Sequence, residues 1–419
     1  MDHAKRLLER CDQLAQISAL ESGILRAYLT PEHKQANRLV AQWMQQAGMT
    51  SWSDPAGNIW GRYASASPDA KTLVIGSHLD TVPNAGRYDG IFGVLAGIEL
   101  VDSLNTKRVQ LPFNIDVVGF GDEEGYRFGA TLLGSEAIAG GWKDSWNSLC
   151  DAGGISLEQA FVDFGLDVND IPMAQLDAEQ LIGYWELHIE QGPVLEQQDL
   201  AIGVVTGIAG ARRFNFTING FAGHAGTVPM DLRQDALAGS AEMILAIEQL
   251  AIKHGVVATV GKISVIPGAV NVIAGRAVFS LDIRSDNDQL RDDVLLKITQ
   301  QAQQIAAARN LQVTIEQTHN ASAVLCDADF MALFDRASKK ITGSSYRLVS
   351  GAGHDAMAMD RLCKVGMLFM RCEKGISHHP AEAVTYSDTV IALQVFEQAV
   401  QELEQSISIS PDKLTGQTR

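Results

Sequence analysis

Thr72-Leu-Val-Ile-Gly-Ser-His-Leu-Asp80 is an apolar run of strand length that ends in a histidine and an aspartate. Such a run, with no polar alternation, reads as a strand buried on both faces, the state of a strand in a parallel sheet covered by helices. Downstream, residues 90–104 (GIFGVLAGIELVDSL) carry an apolar stripe and predict a helix. A second buried strand follows at Asn114-Ile-Asp-Val-Val-Gly-Phe-Gly121, and a third at Ile182-Gly-Tyr-Trp-Glu-Leu-His188 after a polar, loop-rich stretch. Upstream, Thr30 and Pro31 open a helix through Gln46, with Gly48 just past its end. Strands alternating with helices predict an α/β domain with a substantially parallel sheet.

From residue 209 the pattern changes. It reads strand, helix (Asp235 to His254), two strands around Val256–Ile283, helix (Gln289 to Asn310) and strand (Gln312–Gln317). A β-α-β-β-α-β order of this size suggests a compact ferredoxin-like α+β unit. Val365-Gly-Met-Leu-Phe-Met-Arg371 then returns to a buried-strand pattern, and a long helix from about Ser387 to Ser406 closes the reading. The expected organisation is a catalytic domain in two parts, residues 1–208 and 323–419, with an inserted lid at 209–322. No internal repeat or low-complexity segment interrupts it.

A chain of 419 residues is too long for one comfortable core, and its composition, nearly half apolar and one-fifth charged, is that of a globular protein. The formal net charge of −17 argues against nucleic acid or an anionic membrane as partner. Cys11, Cys150, Cys326, Cys363 and Cys372 are odd in number and scattered, which fits reduced thiols in a cytoplasmic protein better than a disulfide framework. The opening segment, MDHAKRLLERCDQLAQISAL, reads as an amphipathic charged helix without the apolar stretch of a signal peptide, and no stretch approaches transmembrane length.

Each apparently buried strand runs into ligand-type residues. The first leads into His78 and Asp80, then Asp89-Gly90; the second into Asp122-Glu123-Glu124; the third into His188 and Glu190-Gln191; the last into Ser377-His378-His379. Sites in open α/β sheets gather at the carboxyl ends of strands, so these four ends point at one place. Each motif alone is weak: an H-x-D is more often a packed pair, adjacent glutamates usually form a solvated face, and His-His before Pro is commonly a plain loop. Together they favour a metal site. Imidazoles and carboxylates without thiolates suit Zn²⁺ or Mn²⁺, with Co²⁺ or Ni²⁺ as alternatives. Two such ions roughly 3.5–4 Å apart can share and deprotonate a water and polarise a carbonyl. Glu123 and Glu124 leave a strand in different directions, so one can ligate while the other acts as general base.

Gly76-Ser-His78-Leu-Asp80-Thr, Asp89-Gly90, Glu123-Glu124-Gly, Glu186-Leu-His188-Ile-Glu-Gln191-Gly, His224-Ala-Gly-Thr-Val-Pro-Met and Gly375-Ile-Ser-His378-His-Pro-Ala-Glu382 occur in this order over most of the chain. The set closely resembles the hydantoinase/carbamoylase branch of the M20 metallopeptidase-like amidohydrolases, which contains allantoate amidohydrolases, N-carbamoyl-L-amino acid hydrolases and β-ureidopropionases. The resemblance implies a discontinuous two-metal exopeptidase-like catalytic domain with an inserted lid that also forms a homodimer interface. It implies that His78, Asp89 and His188 hold one metal, and that Asp89, bridging, holds the other with Glu124 and His378. Glu123 becomes the general base and Asp80 the acceptor that orients His78. Histidine at position 188 marks the ureido-cleaving branch, where peptidase-like branches carry an acidic ligand; His378 is taken over His379 because the family ligand directly follows Ser. The resemblance further gives Gln191, Asn271, Arg284, Gly351 and Ala352 to the substrate and His224 to the oxyanion. His224 and Asn271 are candidates to serve the neighbouring subunit's site. Val228 departs from the branch, which more often has Thr there.

The activity so implied is hydrolysis of a ureido or carbamoyl C–N bond in a small carboxylate. Allantoate is the leading substrate, in purine catabolism, giving ureidoglycine, ammonia and CO₂. An N-carbamoyl-L-amino acid hydrolase or β-ureidopropionase is the close alternative, and a dipeptidase, an aminoacylase or a non-catalytic metal-binding relative is further off. His354-Asp355 stays outside the metal set. His3, His33, His254 and His319 stand outside every motif and are expected at the surface.

Overall fold

The computed structural model describes residues 2–409. They divide into two compact units: one takes the chain up to Thr206 and again from Cys326, the other is Gly207–Leu325.

The strands entering the first unit are β1 (Thr50–Ser53), β2 (Ile59–Tyr63), β3 (Thr72–His78), β4 (Asn114–Phe120), β5 (Leu181–Ile189) and β6 (Ile202–Ile208). The second unit carries β7 (Gly210–Asn219), β8 (Gly223–His224), β9 (Val257–Thr259), β10 (Ile263–Ile266), β11 (Val272–Ile273), β12 (Arg276–Ser285), β13 (Gln312–Ala321) and β14 (Val324–Leu325). β15 (Arg347–Ser350) and β16 (Val365–Met370) return to the first unit.

In the first unit β4, β3, β5 and β16 lie side by side and parallel. Antiparallel neighbours flank them, β2 on β4, β1 on β2 and β6 on β16. The parallel expectation therefore describes the centre and not the edges. The link between β1 and β2, residues 54–58, is too short for a crossover, so only a hairpin forms. Every residue of β3, β5 and β16 is buried, as uninterrupted apolar runs require when both faces are covered. Ile75, Leu95, Ile98, Trp185, Leu368 and Phe396 belong to the main core. Helix Ile91–Thr106 buries most of its length and packs on β3, β4 and β5. It comes so close that a side-chain carbon on Gly93 would lie 2.2 Å from the carbonyl oxygen of Leu187. Because the central strands are parallel, their carboxyl ends share one edge, and the loops carrying the motifs leave from it.

The second unit has the strand order β10-β12-β7-β13, with β10 on β12, β12 on β7 and β7 on β13 all antiparallel. Helices Ala236–His254 and Asp288–Ala308 pack on this sheet over Phe216, Phe279, Ile283 and Ile298. Asp235 and Asn287 cap these helices by accepting backbone N–H groups. Where two strands are expected around Val256–Ile283, β9, β10, β11 and β12 are found. Pro267-Gly268 breaks the run after β10, since proline offers no ladder donor.

The surface expectation for His33 is wrong. His33 is fully buried in the first turn of helix Pro31–Gln46, where its Nδ1 accepts the N–H of Leu29 at 3.0 Å and its ring stacks on Phe164. His3, His254 and His319 are partly covered rather than exposed. No helix among the described residues is long and apolar enough to cross a membrane.

A candidate metal centre at the carboxyl edge of the sheet

His78 is the last residue of β3, His188 the penultimate residue of β5, and Glu123 and Glu124 follow β4 after two intervening residues. Both imidazoles are fixed in one tautomer. Nδ1 of His188 lies 2.8 Å from the carbonyl of Ile189, and Nδ1 of His78 lies 3.1 Å from the carbonyl of Asp80 and 3.3 Å from its carboxylate. A carbonyl only accepts, so each Nδ1 carries the proton and each Nε2 presents a lone pair. Those lone pairs face Asp89: Oδ1 is 3.3 Å from His188 Nε2 and 3.8 Å from His78 Nε2. The other oxygen of Asp89, Oδ2, is 3.0 Å from His378 Nε2, which is also 3.1 Å from Glu124 Oε1. One carboxylate thus divides its oxygens between two ligand groups, His78/His188 on one side and Glu124/His378 on the other. In each group the donor atoms lie within 4.8 Å of one another, close enough for a shared ion.

The electrostatics fit cations. Burial raises the Glu123 carboxyl well above the usual carboxylate range, and Glu124, Asp355 and Asp80 add to it while His78 opposes. Burial pushes Asp89 the same way, but its close contacts with His188 and His378 outweigh it and hold Asp89 well below the usual range. Hydrogen bonds to Asp89 and Glu124 raise His378 to about 10 although its side chain is 49 % exposed. Carboxylates crowded in this way are relieved by divalent cations, and the donor set, oxygen and imidazole nitrogen, suits Zn²⁺ or Mn²⁺.

Asp80 does more than face His78: its Oδ1 accepts the N–H of Glu123 at 2.9 Å and its Oδ2 that of Glu124 at 3.2 Å. It therefore sets the direction in which the glutamate pair leaves the sheet. The loop after β15 lies beside that pair, because a side-chain carbon on Gly353 would sit 3.7 Å from Glu123 Oε1. Gly351 and Ala352 belong to this loop, which is held by Ser350, whose hydroxyl touches His354 Nε2 at 2.8 Å and accepts the N–H of Ala352. His354 packs edge-on against His188, with ring centroids 4.6 Å apart. Gln191, expected to contact substrate, directs Nε2 to both oxygens of Asp89 at 3.1 Å and to Ser377 Oγ at 3.1 Å. His379 is exposed, and its Nδ1 accepts the N–H of Ala381. Ser377, Glu186 and Glu382, to which no role is given by sequence, are all tied to this site. Glu186 accepts from Ser77, Tyr184 and the N–H of Ala356 beneath the histidines.

His224, Asn271 and Arg284 lie in the second unit. His224 and Asn271 are neighbours, since β8 pairs with β11 and the N–H of Ala225 donates to the carbonyl of Asn271. Nδ1 of His224 accepts the N–H of Gly226 at 3.0 Å, which leaves Nε2 of the neutral ring as an exposed donor. Arg284 is at the other end of the sheet. The hairpin holding His224 adjoins the Arg276 end of β12, and Arg284 lies eight residues along that strand, or ~26 Å. Its guanidinium holds Asp282 through Nε and one terminal nitrogen, at 2.8 and 3.0 Å.

The fold and this cluster define an α/β protein whose sheet edge gathers side chains that could hold a divalent metal. The profile of Peptidase family M20/M25/M40 matches residues 74–402, and the chain belongs to that family. It is 41 % identical over 407 residues to the N-carbamoyl-L-amino acid amidohydrolase of Geobacillus stearothermophilus, covering 97 % of this chain and all of the relative. It is 39 % identical over 411 residues to allantoate deiminase 1 of Glycine max, covering 90 % and 85 %. A solved hydantoinase/carbamoylase family amidase from Burkholderia ambifaria superposes with a TM-score of 0.88 at 35 % identity, covering 95 % of this chain and 96 % of that one. The protein is a hydrolase of C–N bonds other than peptide bonds.

Proposed function

We propose that this protein is an amidohydrolase that cleaves the ureido C–N bond of allantoate, giving ureidoglycine, ammonia and CO₂ in the cytoplasm. What supports a two-ion reading is the bridging posture of Asp89, with His78 and His188 facing one oxygen and Glu124 and His378 near the other. The ions, when bound, lower the pKa of a water and polarise the ureido carbonyl. Glu123, poised by Asp80 and raised by its surroundings, takes the proton of the attacking water and passes it to the departing nitrogen. His224 donates from Nε2 to the oxyanion. Arg284 and Asn271 hold the substrate carboxylate and Gly351 and Ala352 offer backbone groups, with Gln191 joining after turning one side of its amide from Asp89. Five free thiols accord with a reducing compartment.

The second unit acts as the lid and as the contact of a homodimer. Within one copy the ~26 Å of strand between Arg284 and the end that adjoins Asn271 is more than a small carboxylate spans, so His224 and Asn271 serve the partner's site. The same unit exposes Leu245, Ile252, Val257, Ile263 and Ile266 along one helix, β9 and the edge strand β10, an apolar surface suited to a second copy.

An N-carbamoyl-L-amino acid is the second reading, favoured by the Geobacillus relative. The deciding experiment measures ammonia release from allantoate and from several N-carbamoyl-L-amino acids, using metal-stripped protein reloaded with Mn²⁺ or Zn²⁺. Preference for allantoate supports the first reading, and preference for a carbamoyl amino acid the second. Silence on every ureido substrate with metal bound would reject both.

A further inference from the structure

Asp89 occupies the middle of the centre, yet the resemblance assigns no residue to hold it there. The geometry points to Glu382 as its positioning residue, acting with Ser377 as a clamp that fixes Asp89 and the His378 loop to one another. Glu382 is 4 % exposed and comes from the turn that follows His378-His379-Pro380. Its Oε1 accepts the N–H of Tyr88 at 2.8 Å and that of Asp89 at 3.3 Å, so it grips the backbone on which Asp89 is mounted. Its Oε2 accepts the hydroxyl of Ser377 at 2.8 Å. Ser377 Oγ in turn lies 3.2 Å from Asp89 Oδ2, the oxygen shared with His378, and receives Gln191 Nε2 at 3.1 Å.

The hydroxyl has one hydrogen and two carboxylates within reach. The shorter contact gives that hydrogen to Glu382, which spares Asp89 Oδ2 a second donor beside Gln191 and keeps a lone pair for an ion. Two loops distant in sequence, 84–90 and 375–382, are thereby locked face to face, and each delivers ligands to the Glu124/His378 side. Room for the clamp is made at Gly86, where a side-chain carbon would sit 2.1 Å from the Glu382 carboxyl and 2.4 Å from its Cβ. Backbone at His378 and Gln191 is also left-handed, with φ of 53° and 57°. Such non-glycine conformations persist only where surrounding bonds enforce them, and the Glu382–Ser377 network supplies bonds of that kind. A buried carboxylate that holds ligands by their backbone and by a relayed hydroxyl does work that water cannot replace, and loss of such support costs about 10–100-fold in metal affinity.

This rests on the two-ion reading, and the test separates the two. Co²⁺ binding to the metal-free protein is titrated against a chelator and followed by its visible spectrum, for wild type, Glu382→Ala, Glu382→Gln and Gly86→Ala. Thermal unfolding of each metal-free protein is measured alongside. Wild type is expected to bind two ions. Glu382→Ala and Gly86→Ala should bind the second about 10–100-fold more weakly with an altered Co²⁺ spectrum. Glu382→Gln, which keeps one acceptor for the Tyr88 and Asp89 N–H groups, should recover part of that affinity. If wild type binds two ions and Glu382→Ala binds both with unchanged affinity and spectrum, the clamp is refuted and the centre stands. If wild type binds fewer than two, both readings fall. Should Glu382→Ala unfold when stripped, Gly86→Ala and Glu382→Gln decide by the same criteria.

Discussion

Glu123 and Glu124 are sequence neighbours with divergent surroundings. Glu124 faces His378 at 3.1 Å, while Glu123 lies beside the loop of Gly353 under strong carboxylate pressure. Replacing Glu123 by Gln should lower ammonia release by about 10²–10⁴-fold while bound metal, measured by elemental analysis, stays at the wild-type level. Loss of metal in parallel would make Glu123 a ligand instead. His33 gives a prediction about stability. Burial, assisted by Arg26, lowers it to about 3 from its ordinary 6.5. Below pH 6.5 the unfolded chain takes a proton that the folded ring refuses, so stability falls as pH drops through the window from 6.5 to about 3. At most about 1.4 kcal/mol per pH unit comes from this group. Urea unfolding at pH 7 and pH 5 should therefore show a steeper acid loss for wild type than for His33→Gln, and equal slopes would contradict it.

At the level of elements, ligand placement depends on how closely helix Ile91–Thr106 approaches β5. Gly93 faces backbone, the carbonyl of Leu187 next to His188, whereas Gly97 faces side-chain methyls of Ile75 and Val117 at 3.1 Å. Methyls can shift by tenths of an ångström, but a strand carbonyl in a parallel sheet cannot without breaking its ladder. Gly93→Ala should cost about 1–3 kcal/mol or more in urea unfolding and weaken metal binding, with Gly97→Ala the milder of the two. Equal effects would mean that the helix retreats freely. Much at this scale was legible from sequence, because helix caps and apolar runs are local signals. Thr30 and Asp235 cap the helices that begin after them, and the β3, β4, β5 and β16 runs became strands within one or two residues. The division of Val257–Ser285 was not legible, since short antiparallel strands are defined by the partner they find.

For the whole molecule, the ~26 Å between Arg284 and the Arg276 end of β12 makes a two-chain site testable. Inactive Glu123→Gln and His224→Ala proteins, mixed under conditions that exchange subunits, should regain about a quarter of wild-type activity if His224 works across the dimer. Each mixed dimer then contains one complete site. If His224 works within its own chain, mixing restores nothing.

The sequence by itself determined the alternation of helices and strands, the insertion of a second unit and the clustering of His and carboxylate residues at strand ends, because periodicity, capping and strand-end placement are written in neighbouring residues. The family resemblance assigned roles to those residues position by position. Tertiary structure decided which oxygen of Asp89 meets which histidine, that Asp80 carries the backbone of both glutamates, that His33 is core, and that Glu382 and Ser377 stand behind the centre. These are contacts between segments up to 294 residues apart, such as Tyr88 with Glu382. No local pattern encodes them, since a buried carboxylate and a solvated one look alike until the chain has closed around one of them.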